Sequence, residues 1–129
     1  MTMQQLFDIA APALLAQNAR SERQNLLSET DDSVEVICAY RGKDGLKCAI
    51  GHIIPDSIYN EKMEGRAFLE LYTHYESVKN LISPEWDNDL LTFLDKLQSV
   101  HDNYEPNKWR SALSDLACDF NLNLMSIYK

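Results

Sequence analysis

The sequence predicts an α+β fold: a mostly helical single domain in which a two-stranded antiparallel β-hairpin packs on about four helices. Three observations point there. "VEVICAY" followed by "RGKDGLKCAI" has β-branched, alternating character around a glycine turn. Apolar residues recur at helical spacing in the N-terminal segment and over most of the C-terminal half. A chain of 129 residues with 45% hydrophobic content fits one core, and at this size it needs neither disulfides nor a metal to be stable.

Leu6, Ile9, Ala10, Ala13 and Leu14 place a first helix over about residues 3–17. Pro12 lies within it and removes one backbone donor, which predicts a kink or a later true start. Residues 18–33, "NARSERQNLLSETDDS", read as a long polar connection with room for mobility, anchored only by Leu26 and Leu27. From Val34 the hairpin begins. Lys43 and Asp44 in a type I turn, with Gly45 left-handed, close a three-residue loop. That register pairs Tyr40 with Cys48 and Cys38 with Ile50, so Val36, Cys38, Tyr40, Cys48 and Ile50 share one face, turned to the core. "IIPDSIYN" follows with Pro55 at a first helical position, a short turn before Gly65.

Phe68, Leu71, Tyr72, Tyr75 and Val78 then mark one helix, extended to Leu81 and Ile82 and ended by Pro84. Leu90, Phe93, Leu94, Leu97, Val100, His101 and Tyr104 mark the next, with Asp87, Asn88 and Asp89 suited to its positive N-terminal end. Pro106 opens the last, striped by Trp109, Ala112, Leu113, Leu116 and Phe120. The short connection between these two predicts an antiparallel pair. One domain over 1–129 is the expectation.

The formal charge of −8 is spread evenly, with six basic and ten acidic residues in each of 1–64 and 65–129. Phosphate backbones and anionic membranes need clustered Lys and Arg, so direct nucleic-acid binding is not expected and a basic protein partner is the better fit. An acidic surface that imitates nucleic acid is the sharper alternative to a merely solvated one. Three cysteines at irregular spacing argue against a disulfide framework and for a reducing compartment. "MTMQQLFDIAAPALLAQ" lacks the basic start of a signal peptide, and no run approaches the roughly 20 apolar residues of a membrane span. The expected setting is cytoplasmic and membrane-free.

"CAYRGKDGLKCAIGHIIPDSIY", "MEG", "LQSVHDNYEPNKWRSALSDLACDFNL" and the opening "LF…LLAQ" together resemble a family of small, uncharacterised proteins encoded by bacteriophages, prophages and bacteria. The likeness covers most of the chain, and its most specific parts are "YRGKDGLKCAIG", "IPD" and the C-terminal "HDN…W…L". It implies a genomic setting rather than a mechanism. Some members look as if they carry Cys where this chain has His52, an alternation that suits a metal ligand or a small buried position.

Three constellations compete for function. Arg41, Lys43 and Lys47 form the densest basic cluster, and as an exposed hairpin tip they are the candidate binding residues, able to grip an anion or a carboxylate-rich partner. Cys38, Cys48 and His52, with Cys118 or an acidic residue as a fourth ligand, are the candidate zinc set. An extended strand would separate Cys48 from His52 by about 13 Å, too far for one ion. A helical turn after Cys48 would bring them to about 6 Å as i and i+4 neighbours. The favoured reading makes these cysteines, and Cys118, small core hydrophobes. Cys48 beside Lys47 and His52 is a conceivable nucleophile pair, but core-facing thiols lack the accessible thiolate that catalysis needs.

"GKDG" feeds a strand rather than a helix and lacks the ending of a phosphate loop. Glu85, Asp87, Asp89 and Asp95 have the wrong spacing for an EF-hand. His74 and His101 read as packing or capping residues.

The expected function is a non-catalytic interaction protein with no cofactor: a phage or prophage accessory factor, such as an anti-defence protein, that binds or inhibits a host protein in the bacterial cytoplasm. The alternatives are a small zinc-binding protein and a small-ligand binder or enzyme at the basic hairpin. Ile37 or an uncovered strand edge would support self-association.

Overall fold

The computed structural model describes residues 1–28 and 31–128, with the side chains of 24–37 outside the description. Among the described residues six α-helices build the core: α1 (Met3–Gln17), α2 (Ala49–Ile53), α3 (Phe68–His74), α4 (Glu76–Ile82), α5 (Asn88–Asn103) and α6 (Trp109–Asp119). Short 3₁₀ turns lie at Lys43–Gly45, Glu61–Met63 and Pro106–Lys108.

α1 starts on a capping box, in which the Thr2 hydroxyl accepts from the Gln5 amide and the Gln5 side chain accepts from the Thr2 amide. It ends on Asn18 in the left-handed conformation and runs through Pro12 without a break. α5 is the hub. It contacts α1, α2, α3 and α6 and buries Leu90, Leu91, Phe93, Leu94, Leu97, Val100 and His101, a repeat of three and four that gives one broad apolar face. Its start is fixed by Asp87, whose carboxylate accepts from the Leu90 amide at 3.2 Å. Across from it, Trp109 is fully buried, stacks on His101 at 5.5 Å and donates its indole N–H to the Tyr104 carbonyl at 3.0 Å.

The α+β expectation is overturned. The predicted hairpin from Val34 to Ile50 does not form, because the chain turns helical at Cys48, where a second strand was expected. The described core is drawn from helices and the loops between them, so the fold class is all-α. Strand-type backbone occurs only upstream of the predicted turn, at β1 (Glu22–Ser28) and β2 (Asp31–Cys38), whose register sets Glu22 opposite Cys38 and Leu26 opposite Val34. β1 falls within the stretch read as connection. Tyr40, Cys48 and Ile50 are buried as expected but not as strand partners; Val36 and Ile37 lie outside the described side chains.

The helix expected over residues 68–82 is two helices, divided at Tyr75, where φ −117° and ψ 105° leave the helical region. Tyr104, placed on the apolar face of α5 by spacing, is exposed, and so is Cys118, expected in the core. No described helix is long and apolar enough to cross a membrane.

Candidate functional site

The glycine-rich motif builds a helix of only five residues and completes both of its ends. At the N-terminus of α2 the Cys48 thiol sulfur accepts from the Gly51 amide at 3.3 Å, and Gln98 Oε1 of α5 accepts from the Ile50 amide at 3.0 Å. At the C-terminus the Arg41 guanidinium donates to the carbonyls of Gly51 and, at 2.8 Å, Ile54. Free helix-end carbonyls are the groups such a fork satisfies. Arg41 also pairs with Asp56 at 3.0 Å and lies 4.9 Å over the Tyr59 ring, leaving its side chain 14% exposed. Glu64 takes the amides of Tyr40 and Arg41, each at 3.0 Å, so the whole loop is tied down.

Of the three basic residues expected at the tip, Arg41 thus points inward. Lys43 is exposed on its 3₁₀ turn, Lys47 is half-buried, and neither makes an ion pair among the described residues. Asp44 and Gly45 both have positive φ, 58° and 76°, which is how the loop reverses without a hairpin.

The helical turn after Cys48 does occur, and the His52 amide donates to the Cys48 carbonyl at 3.0 Å. Yet the two side chains are engaged apart. His52 Nε2 pairs with Gln17 Oε1 at 3.0 Å, and that oxygen also accepts from the Lys47 amide at 3.0 Å. His52 therefore donates from Nε2. Burial, with Lys47 and Arg41 nearby, lowers its pKa to about 4. Burial pushes the Cys48 thiol up to about 12, where it is no thiolate at neutral pH.

Among the described residues one other set has the spacing of metal ligands: Cys38, His101 and Asp102, with ligand atoms within 4.8 Å of one another. Spacing alone would have missed it, since Cys38 is remote in sequence from the other two. Its hydrogen bonding does not suit a metal. The buried Ser21 amide donates to His101 Nε2 at 2.9 Å, so the ring proton sits on Nδ1 and is given to Asp102 Oδ1 at 2.8 Å. An Nδ1 ligand would need the proton moved to Nε2, facing another N–H. That would leave a buried donor unpaired, a cost of about 1–3 kcal/mol before any metal bond forms.

The same tautomer disqualifies His101 as a general base, because both nitrogens are occupied. The Cys38 residue is exposed, though its thiol is pushed up to about 12, first by burial and then by the charge and hydrogen bond of Asp102. Ser21, Cys38, His101 and Asp102 form a fastening between the strand base and α5 rather than a reactive centre. Ser21 strengthens it by donating its hydroxyl to the Ala39 carbonyl at 2.7 Å.

Among several surface cavities, a larger one of about 600 Å³ between α1 and the C-terminal segment included, two follow one face of α5. One cavity of about 310 Å³ is lined by Tyr40, Cys48, Phe68, Asp95, Gln98 and Asp102, among others. A second, of about 160 Å³, is lined by Leu69, Trp86, Asn88, Leu91, Thr92 and Asp95. Asp95 lines both, so they are neighbours along one face of α5. Trp86 is 60% exposed and Leu69 43% exposed. Trp86 is nonetheless held: it meets the Tyr72 ring edge-on at 5.9 Å, while the Tyr72 hydroxyl donates to the carbonyls of Ser83 at 2.6 Å and Glu85 at 3.1 Å. Sequence reasoning passed over Trp86. The available signal was a tryptophan outside every apolar stripe, between Glu85 and Asp87.

In comparison with known proteins, the chain matches no family model, no curated protein and no solved structure, so its function is argued from this geometry.

Proposed function

We propose that this chain is a non-catalytic interaction protein, an accessory factor of phage or prophage type that binds or inhibits a host protein in the bacterial cytoplasm. The observation that carries the reading is Trp86: a large aromatic, exposed but braced by Tyr72, beside exposed Leu69 at the mouth of a cleft. Rigid exposed aromatics at the rim of a pocket are the side chains that dominate protein recognition, because little conformational entropy is lost on docking. The candidate cysteines and histidines support it from the other side, since Cys48, His52 and His101 are engaged in internal hydrogen bonds. The phage setting rests on the resemblance carried by "YRGKDGLKCAIG", "IPD" and "HDN…W".

The test is affinity capture from bacterial lysate with the wild-type chain and Trp86→Ala. Exposure of Trp86 means the variant keeps its fold, which circular dichroism verifies. A reproducible protein partner, retained at least about tenfold less by Trp86→Ala, is expected for an anchor of roughly 2 kcal/mol. No retained protein, or equal retention by the variant, overturns the reading.

A further inference from the structure

The two cavities follow one face of α5. Asn88, Leu91, Asp95, Gln98 and Asp102 succeed one another at steps of three and four and line the cleft from the Trp86 mouth to the Cys38 end. Fourteen helical steps separate Asn88 from Asp102, a span of about 21 Å. The cleft is therefore long and shallow in volume, with room for side chains projecting from a chain segment rather than for one compact ligand.

Its chemistry is divided. The mouth is apolar, with Leu69, Trp86 and Leu91, and beyond it stand exposed Asp95 and, about 10 Å further along α5, half-buried Asp102, which already accepts from His101 and Gln98. Asp95 is exposed and makes no hydrogen bond or ion pair among the described residues. Among the described residues the one cation lining the cleft, Arg66, lies 3.5 Å from Glu70, which offsets its charge. In sequence, Glu85, Asp87 and Asp89 flank the mouth residues Trp86 and Asn88, with Lys79 over the Tyr72 ring as a counterweight. The chain as a whole carries −8.

We infer that the α5 cleft takes a basic segment of the partner protein, with an apolar side chain against Trp86 and Leu69 and a lysine or arginine side chain reaching Asp95. This rests on the interaction reading and specifies its partner. An acidic peptide, a nucleic acid or an anionic lipid surface meets repulsion along the same face.

Tryptophan emission gives a direct readout, because Trp109 is fully buried and Trp86 is not. Two synthetic octapeptides serve as probes, one alternating lysine and leucine, the other alternating glutamate and leucine. The lysine–leucine peptide produces a saturable blue shift, weakened about threefold or more by Asp95→Asn and by raising salt from 0.05 to 0.5 M. The glutamate–leucine peptide produces none. Equal responses to both peptides, no response to the first, or indifference to Asp95→Asn overturns the inference. A partner captured through Trp86 but held equally by Asp95→Asn and at high salt leaves the interaction reading standing and overturns this one alone.

Discussion

Truncating Arg41 to alanine separates a building residue from a binding residue. The guanidinium donates to two carbonyls at the end of α2, pairs with Asp56 and covers Tyr59. Hydrogen bonds from a charged donor contribute about 1.5–3 kcal/mol each, and the lower end applies here because truncation lets water reach the carbonyls. The pair with Asp56 adds little, since Asp56 is 91% exposed. The cation over the ring adds about 0.5 kcal/mol. Arg41→Ala is therefore expected to cost about 3 kcal/mol, a large part of the 5–15 kcal/mol typical of a domain. In urea denaturation followed by circular dichroism, a slope near 2 kcal/mol/M converts this to a midpoint lowered by about 1.5 M. Arg41→Lys recovers less than half, because a compact ammonium lacks the planar fork that spans the separated carbonyls and Asp56 and stacks on the Tyr59 ring. A midpoint within about 0.3 M of wild type for Arg41→Ala would refute the reasoning and return Arg41 to the surface.

Gly51→Ala places a Cβ 2.2 Å from the Tyr40 carbonyl oxygen, a backbone atom that cannot swing aside. It costs about 2 kcal/mol or more, and an unchanged urea midpoint would contradict that contact. His52 has a folded pKa near 4, below its ordinary 6.5, so the fold favours the neutral ring. Its contribution is complete above pH 6.5 and is lost as pH falls toward 4. Wild type should lose more stability than His52→Gln between pH 7 and pH 4.5, and parallel losses would count against the assignment. Calorimetric titration with zinc at pH 7.5 is expected to show no binding tighter than about micromolar, since the Ser21 amide holds His101 in the wrong tautomer. Stoichiometric tight binding that Cys38→Ser abolishes would show the fastening to be a metal site.

The helices were legible where one apolar face decides them: α5 and α6 follow most of their stripes, whereas α1 has the expected bounds but buries Phe7 and Ala11 in place of Ile9 and Ala13. The break at Tyr75 was not, because no proline or glycine marks it and both flanking helices share the stripe. The hairpin failed for an instructive reason. "VEVICAY" does carry strand backbone as far as Cys38, but alternation identifies a strand without naming its partner. The partner lies upstream in "ERQNLLS", which has no alternation to detect. Downstream, "KCAI" reads as the second strand, although Cys48 can cap a helix through its sulfur and Gly51 permits the close approach of the Tyr40 carbonyl. Arg41 is the same lesson at the site: a basic residue beside glycines reads as exposed until the carbonyls of α2 are seen converging on it. Cys38, His101 and Asp102 meet only through tertiary packing, so no spacing could have joined them.

The glycine-rich motif builds the fold, and the binding is proposed to lie in the α5 cleft with Trp86 at its mouth. Amide chemical-shift mapping during titration with the lysine–leucine octapeptide tests it most directly. Shifts are expected at the Trp86 indole N–H and along Asn88 to Asp102, with Arg41 to Lys47 unmoved. Shifts confined to Arg41–Lys47, with Trp86 silent, would contradict it.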